Sequence, residues 1–378
     1  MRRTWYRAGA LAAGIIVLAV LPLNSTPYTN YQVALVATYA VAILGLNLVS
    51  GYAGQISLGQ SAFFGLGGYC AAIATARAGW PLPASFLLAC ALPAAVGLLI
   101  AIPAVRLRGH GLAIFTLALP LIGVALAKRF LDLTGGSEGL SARIARVPGW
   151  TGLDIDQWTY YVVLAIAGAL FLLARNMVTG RMGRALSTVR ENEVVAASMG
   201  ISPRRYKALA FAMAAAYGGA AGWLYVYTIG FVSPVEMELL LSINLLAMMI
   251  VGGMGSVLGS LLGGVLYVYV PIVAGTVDPV RTTLLYGAIL VLVLFLAPGG
   301  IARALHRTGD WLSDLRARKG PGPPAPGDRD LGDDWRRRAS APEETRKVHG
   351  ATTQRLPRAR GGDRDDGNGS HRLRTRRE

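Results

Sequence analysis

Residues able to do covalent or ionic chemistry are scarce in this chain, and their spacing argues against an enzyme. Gly135-Gly136-Ser137-Glu138-Gly139 matches the G-x-S-x-G pattern of a nucleophile elbow, but an elbow needs a strand before the serine, and this stretch is a hydrophilic loop. The match reads as accidental. His110, flanked by Gly109 and Gly111, is the one histidine ahead of the C-terminal tail and has no second ligand at metal spacing. No G-x-x-x-x-G-K-[ST] run is present, so ATP hydrolysis by that route is excluded, and any energy source must be a partner or an ion gradient. Cys70 and Cys90 both lie in apolar stretches and read as buried, inert thiols. No catalytic residue, metal site or cofactor is therefore assigned.

The polar groups that remain are uncharged and clustered. Gly51, Gly54, Gln55, Ser57, Gln60 and Ser61 fall within one short stretch followed by Gly65, Gly67 and Gly68. In hydrocarbon every backbone N–H and C=O needs a partner, so such a stretch must face protein or a water-lined path. A broken helix beside a translocation route is one reading; close helix approach with polar groups bonding across it is the other. Gln55 and Gln60 favour the first, because their amides are harder to hide. Asn244, in a later apolar segment, is grouped with these translocation candidates. A second cluster, Gly252, Gly253, Gly255, Gly259 and Gly263, has its last three members spaced by four residues, which places them on one helix face and favours packing. Gly218 and Gly222 repeat that pattern.

The elements that must position these residues are membrane spans. The chain has 378 residues, 53% hydrophobic and 15% charged, with a formal net charge of +16. No formal charge occurs between Arg7 and Arg77, nor between Glu238 and Asp278, which rules out a soluble globular domain. The alternating strands of an outer-membrane barrel are absent. Apolar runs give ten candidate helices, at roughly 8–23, 33–50, 58–76, 84–104, 111–130, 158–174, 208–228, 239–251, 257–275 and 282–297. The first is expected to be an uncleaved span. The fold class is thus an all-α integral membrane protein with a permease domain over residues 1–301. An Arg-rich, Pro- and Gly-interrupted tail over 302–378 reads as disordered and cytoplasmic, with no nucleic-acid partner implied.

Between Arg175 and Lys207 seven basic residues face two acidic ones, so the positive-inside bias puts this segment in the cytoplasm. Alternation then places both termini and the Arg106/Arg108 turn inside, and the 230–238 loop outside. Lys128 and Arg129 are the exception. Ten spans divide into two halves of five, and an odd number per half inverts the second relative to the first. All nine acidic residues of the membrane body lie in loops or at span edges, which counts against proton coupling. Within the basic loop, Gly183 to Gly200 shows helical apolar spacing, stopped by Gly200 and Pro203. Such a helix suits a groove on a soluble partner or anionic membrane lipid, and composition does not separate the two.

Several runs together carry a resemblance. They are Leu46 to Gly59, Arg106-Leu107-Arg108-Gly109, Thr134 to Gly139, Gly183 to Pro203, Gly230-Phe231-Val232-Ser233-Pro234 and Gly252 to Ser256. In this order they resemble the LivM-type inner-membrane permease of branched-chain amino acid ABC importers. The resemblance implies a type II ABC importer-like fold in a bacterial inner membrane. It also implies a heterodimer with a second related permease, two cytoplasmic ATP-binding subunits and an extracytoplasmic solute-binding protein. Gly183, Arg184, Ala185, Arg190, Glu191, Asn192 and Gly200 would belong to the ATPase-coupling loop, and the 132–157 and 230–238 loops would face the binding protein. Family members often carry an acidic and a basic residue in the fifth span, where this chain has Pro120, Leu121 and Val124. Urea and short-amide permeases share much of the motif set. A stand-alone channel or secondary carrier, and an integral-membrane enzyme, are the rival classes.

Overall fold

In the computed structural model, residues 18, 20–107, 110–142, 147–149, 151–277, 284–288, 292, 300 and 301 are described, all within the unit Met1–Ser313. Most of the first and tenth candidate spans, the His110 side chain and the tail at 302–378 lie outside them. The longer helices are α1 (Pro27–Leu46), α2 (Gln60–Ala72), α3 (Leu82–Ala104), α4 (His110–Arg129) and α5 (Ile155–Thr179). They continue with α6 (Arg181–Glu191), α7 (Glu193–Ser198), α8 (Pro203–Ile229), α9 (Leu239–Gly253) and α10 (Val257–Val277). Among the described residues six helices are long and apolar enough to cross a membrane, and α9 is a shorter apolar one. The chain is a multi-pass, all-α membrane protein. A count of ten spans and an inverted repeat go beyond what the described residues contain.

Two helices form the centre. Of the most apolar stretch of α1 with its continuation to Tyr52, 83% is buried, and of α8 72%, against 17–33% for α3, α4, α5 and α10. The outer helices expose the large aliphatic side chains Leu87, Leu99, Ile114 and Leu172. Water would penalise such a surface, whereas lipid tails are as apolar as leucine. Burial alone therefore cannot drive the helices together, and close backbone packing must contribute.

Glycine supplies that packing along α8. A β-carbon on Gly222 would run into the Phe64 carbonyl, one on Gly219 into the Ala89 carbonyl, and one on Gly218 would stand 2.9 Å from Phe63 Cβ. α8 is thereby wedged between α2 and α3. Trp223 donates from Nε1 to Ser85 Oγ at 3.0 Å, so the largest side chain in the wedge has its polar atom paired. Between α9 and α10, β-carbons on Gly252 and Gly259 would each meet backbone of the other helix or of the turn joining them. Gly255 departs from the expected helix face. It sits in that turn at φ +76, next to Gly253 at φ +134, and α10 begins only at Val257. A tight reversal requires backbone angles that L side chains resist, and this sets Gly255 outside the helix.

At the other end of the bundle the sequence gives no strand signal, yet two residues of each loop pair. β1 (Leu140–Ser141) is antiparallel to β2 (Phe231–Val232), with Leu140 opposite Val232, and Ala142 N–H donates to the Gly230 carbonyl at 2.9 Å. Too short for a periodic signal, this bridge ties together the 132–157 and 230–238 loops. Ser233 and Glu236 close the adjoining turn as a capping box, and Tyr225 donates to the Glu236 carboxylate at 3.0 Å.

Candidate translocation segment and coupling segment

α1 does not end cleanly. Its last turn widens into a π-helical turn, Asn47–Tyr52, in which Ala53 N–H reaches back to the Leu48 carbonyl at 3.3 Å. Single π turns inside membrane helices often mark functional sites. Beyond it the chain runs without regular structure from Ala53 to Gly59 before α2 begins. Gly54 makes the exit at φ +70. The backbone here is held by side chains and irregular bonds. Ser50 Oγ donates to the Gln55 carbonyl at 2.9 Å, Gln55 N–H to the Val49 carbonyl at 3.0 Å, and Leu58 N–H to Thr116 Oγ1 on α4 at 2.9 Å. Nonhelical backbone beside apolar spans is tolerated where its polar groups find such partners.

The structure brings most of the polar candidates to this junction, in different roles. Gly51, Gln55 and Ser57 are buried, while Gly54 and Ile56 are exposed. Gln60 is buried and donates from one Nε2 to the carbonyls of Ala42 on α1 and Ala214 on α8, at 3.1 and 3.2 Å. Its amide thus links three helices. Ser61 caps the start of α2 against α9: its N–H donates to Ser242 Oγ at 2.9 Å and its hydroxyl to the Met237 carbonyl at 3.1 Å. Asn244 is not brought to this group. Two residues beyond Ser242 on α9, it points about 200° away around the helix and is partly exposed.

Asn47 is the residue that sequence reasoning passed over. Fully buried, it donates from Nδ2 to the Ser256 carbonyl and to Ser260 Oγ, both at 2.9 Å, and its Oδ1 accepts from Gly255 N–H at 2.7 Å. The π turn is thereby bolted to the α9–α10 turn. Gly51 permits the approach: a β-carbon there would overlap Asn47 Oδ1 and stand 2.7 Å from Gly255 N. A lone amide inside an apolar helix was the available signal.

The basic loop folds as two helices instead of the one expected. α6 buries Gly183, Ala185, Leu186 and Val189 and exposes Arg184. A β-carbon on Gly183 would strike the Val178 carbonyl, so this glycine allows the sharp turn out of α5. The break comes at Asn192, whose backbone is extended (φ −157) and whose Oδ1 caps α7 by accepting from Val194 N–H at 2.9 Å and Val195 N–H at 3.2 Å. Gly200 ends the segment at φ +79, and Lys207 pairs with Glu193 at 2.5 Å. Val194 and Val195 on α7 and Met199 just past its end are left exposed, 78%, 42% and 67% respectively. Arg190, at the end of α6, donates from Nη1 to the Gly51 carbonyl, and its neighbour Glu191 is exposed.

Ser137 sits exposed in a 3-10 turn, Gly136–Glu138, with no strand before it, which removes the elbow context. Among the described residues no cluster of His, Cys, Asp and Glu is placed to hold a metal ion.

A family model described as the branched-chain amino acid transport system / permease component matches residues 28–296. The chain belongs to this permease family. Over 311 residues it is 32% identical to the high-affinity branched-chain amino acid transport system permease protein LivM of Escherichia coli K12, which covers 76% of this chain and 73% of LivM. The LivH permease protein of the same organism is 26% identical over 286 residues, 71% of this chain and 92% of LivH. A solved structure of PsaBC from Streptococcus pneumoniae in complex with Fab overlaps 76% of this chain and 97% of that one, at 16% identity and a TM-score of 0.40. The match to the family model spans α1 to α10, so the broken helix, the Asn47 bolt and the α6–α7 pair all fall within it.

Proposed function

We propose that this chain is the membrane-spanning permease subunit of an ATP-driven importer and forms half of a path for branched-chain or other small amino acids. The observation that carries the reading is family membership over residues 28–296, joined to a polar, nonhelical membrane segment that touches an amphipathic helix pair. The chain moves its cargo without a covalent step. Residues 53–59, with Gln60 and Ser61 behind them, border the path. α6 and α7 dock on an ATP-binding subunit, with the exposed Val194, Val195 and Met199 as the apolar contact. Apolar side chains left in water on a short helix are what a helix-in-groove partner covers. The similarity to both LivM and LivH, two permease proteins, supports pairing with a second related permease. An extracytoplasmic solute-binding protein delivers the substrate to the bridged 140–142 and 230–232 loops, and both termini face the cytoplasm.

The test is reconstitution of the chain in liposomes with a second permease, two ATP-binding subunits and the binding protein. ATP-dependent uptake of labelled leucine, competed by isoleucine and valine, is the expected result. Competition by urea or short amides instead would reassign the cargo. Flux through this chain alone without ATP would overturn the importer reading in favour of a channel or carrier.

A further inference from the structure

A helix terminus leaves its last carbonyls without backbone donors, and those carbonyls form the negative end of the helix dipole. At the end of the π turn, Leu48 and Val49 find donors in Ala53 and Gln55. The Gly51 carbonyl is reached from elsewhere in the chain, by Arg190 Nη1 of α6. The arginine stem lies along the same terminus, since a β-carbon on Gly54 would stand 2.8 Å from Arg190 Cγ. Its guanidinium also adjoins the α9–α10 turn, where a β-carbon on Gly255 would stand 3.6 Å from Nη1. One side chain thus meets the end of α1, the nonhelical segment and the turn that Asn47 bolts to α1.

This geometry differs from that of a docking contact. Arg190 is exposed, yet its Nη1 is aimed at a backbone carbonyl of the membrane domain, a contact that a residue serving a partner alone has no need of. α6 has further anchors beside it: Leu186 packs with Ala53 and Ala210 in a small apolar cluster that includes Tyr52. Apolar contacts can slide along one another, whereas a charge-assisted bond to a fixed carbonyl sets a register.

We infer that Arg190 is a positioning residue for transport, a strut that carries displacement of α6 and α7 into the nonhelical segment 53–59, and not a contact to the ATP-binding subunit. The inference rests on the reading that α6 and α7 dock on such a subunit.

The experiment uses the complete reconstituted importer, comparing wild type with Arg190→Ala and Arg190→Lys. For each, co-purification of the ATP-binding subunit, ATP hydrolysis, leucine uptake and the KM for loaded binding protein are measured. With Arg190→Ala the ATP-binding subunit is retained and ATP is hydrolysed. Uptake per ATP falls about tenfold with KM unchanged, the scale expected for losing one charge-assisted bond at the moving joint. Arg190→Lys, which keeps a cationic donor, recovers a substantial part of the loss. If the alanine chain itself fails to fold, running as an aggregate in detergent before any partner is added, Arg190→Gln replaces it, and uptake per ATP should fall in the order Arg, Lys, Gln. Loss of the ATP-binding subunit from the variants would make Arg190 a docking residue and overturn the inference while leaving the importer reading intact. Unchanged uptake per ATP, or equal effects of Lys and Ala, would also overturn it. ATP-independent uptake by the wild type is a separate result that removes both.

Discussion

Replacing Asn47 by Ala tests whether the π turn is bolted to the α9–α10 turn. The substitution removes three short bonds, to the Ser256 carbonyl, to Ser260 Oγ and from Gly255 N–H, and a long one to the Gly253 carbonyl at 3.5 Å. Neutral bonds are worth about 0.5–1.5 kcal/mol each, and interhelical ones measured in membranes average ~0.6. Three therefore set a range of roughly 2–4 kcal/mol. The upper part is moderated because the Ser256 carbonyl keeps two donors, Ser260 N–H at 3.2 Å and Ser260 Oγ at 3.4 Å. Asn47→Asp should be at least as damaging, since it retains an acceptor for Gly255 N–H but directs an unpaired oxygen at the Ser256 carbonyl. Asn47→Gln has no room to relax, because Asn47 is fully buried and Gly51 already lies against its amide. Unfolding of the purified permease in detergent, followed by tryptophan fluorescence, measures the loss, and a double-mutant cycle with Ser260→Ala isolates the shared bond. A loss below about 0.5 kcal/mol, or a cycle with no coupling energy, would refute the bolt.

Gly54→Ala should lower stability by about 1–2 kcal/mol from its left-handed backbone alone, and should also reduce uptake, because the new methyl presses on Arg190; parallel unfolding and transport measurements separate the two effects. Gly222→Leu should prevent a stable fold, since its side chain would occupy the space of the Phe64 carbonyl, and size-exclusion chromatography in detergent reads this directly. Asn192→Ala removes the cap of α7 and should cost about 1 kcal/mol locally, weakening affinity for the ATP-binding subunit with little change in the melting of the membrane domain. Ala142→Pro deletes the N–H that donates to Gly230 and should diminish stimulation of ATP hydrolysis by the binding protein while leaving basal hydrolysis unchanged.

What could be read from the residues divides along a physical line. Hydropathy is a sum over some twenty positions, so eight of the ten candidate spans meet helices with edges shifted by a few residues, the largest being the start of α1 at Pro27 instead of Val33. Proline at the head of α1, where its missing N–H costs nothing, explains that shift. Small-residue spacing likewise revealed the packing face of α8, because close approach leaves a local signature in glycine. Single residues with distant partners left none. Gln60 reads as a path-lining amide until Ala42 and Ala214 are seen on either side of it, and Asn47 reads as one polar residue in an apolar helix until Gly255, Ser256 and Ser260 close around it. By composition Arg190 is one of seven basic residues in a loop expected to be cytoplasmic, a count in which every charge weighs the same, and the resemblance adds only that it belongs to the coupling loop. Its placement against Gly51 spans 139 residues of chain. Composition assigns a charge to a membrane face, and only the fold decides whether that charge meets water, lipid, a partner or the chain's own carbonyl. The proposed function depends most on that last distinction, because a helix proposed to dock on an ATP-binding subunit must also hold its own membrane domain.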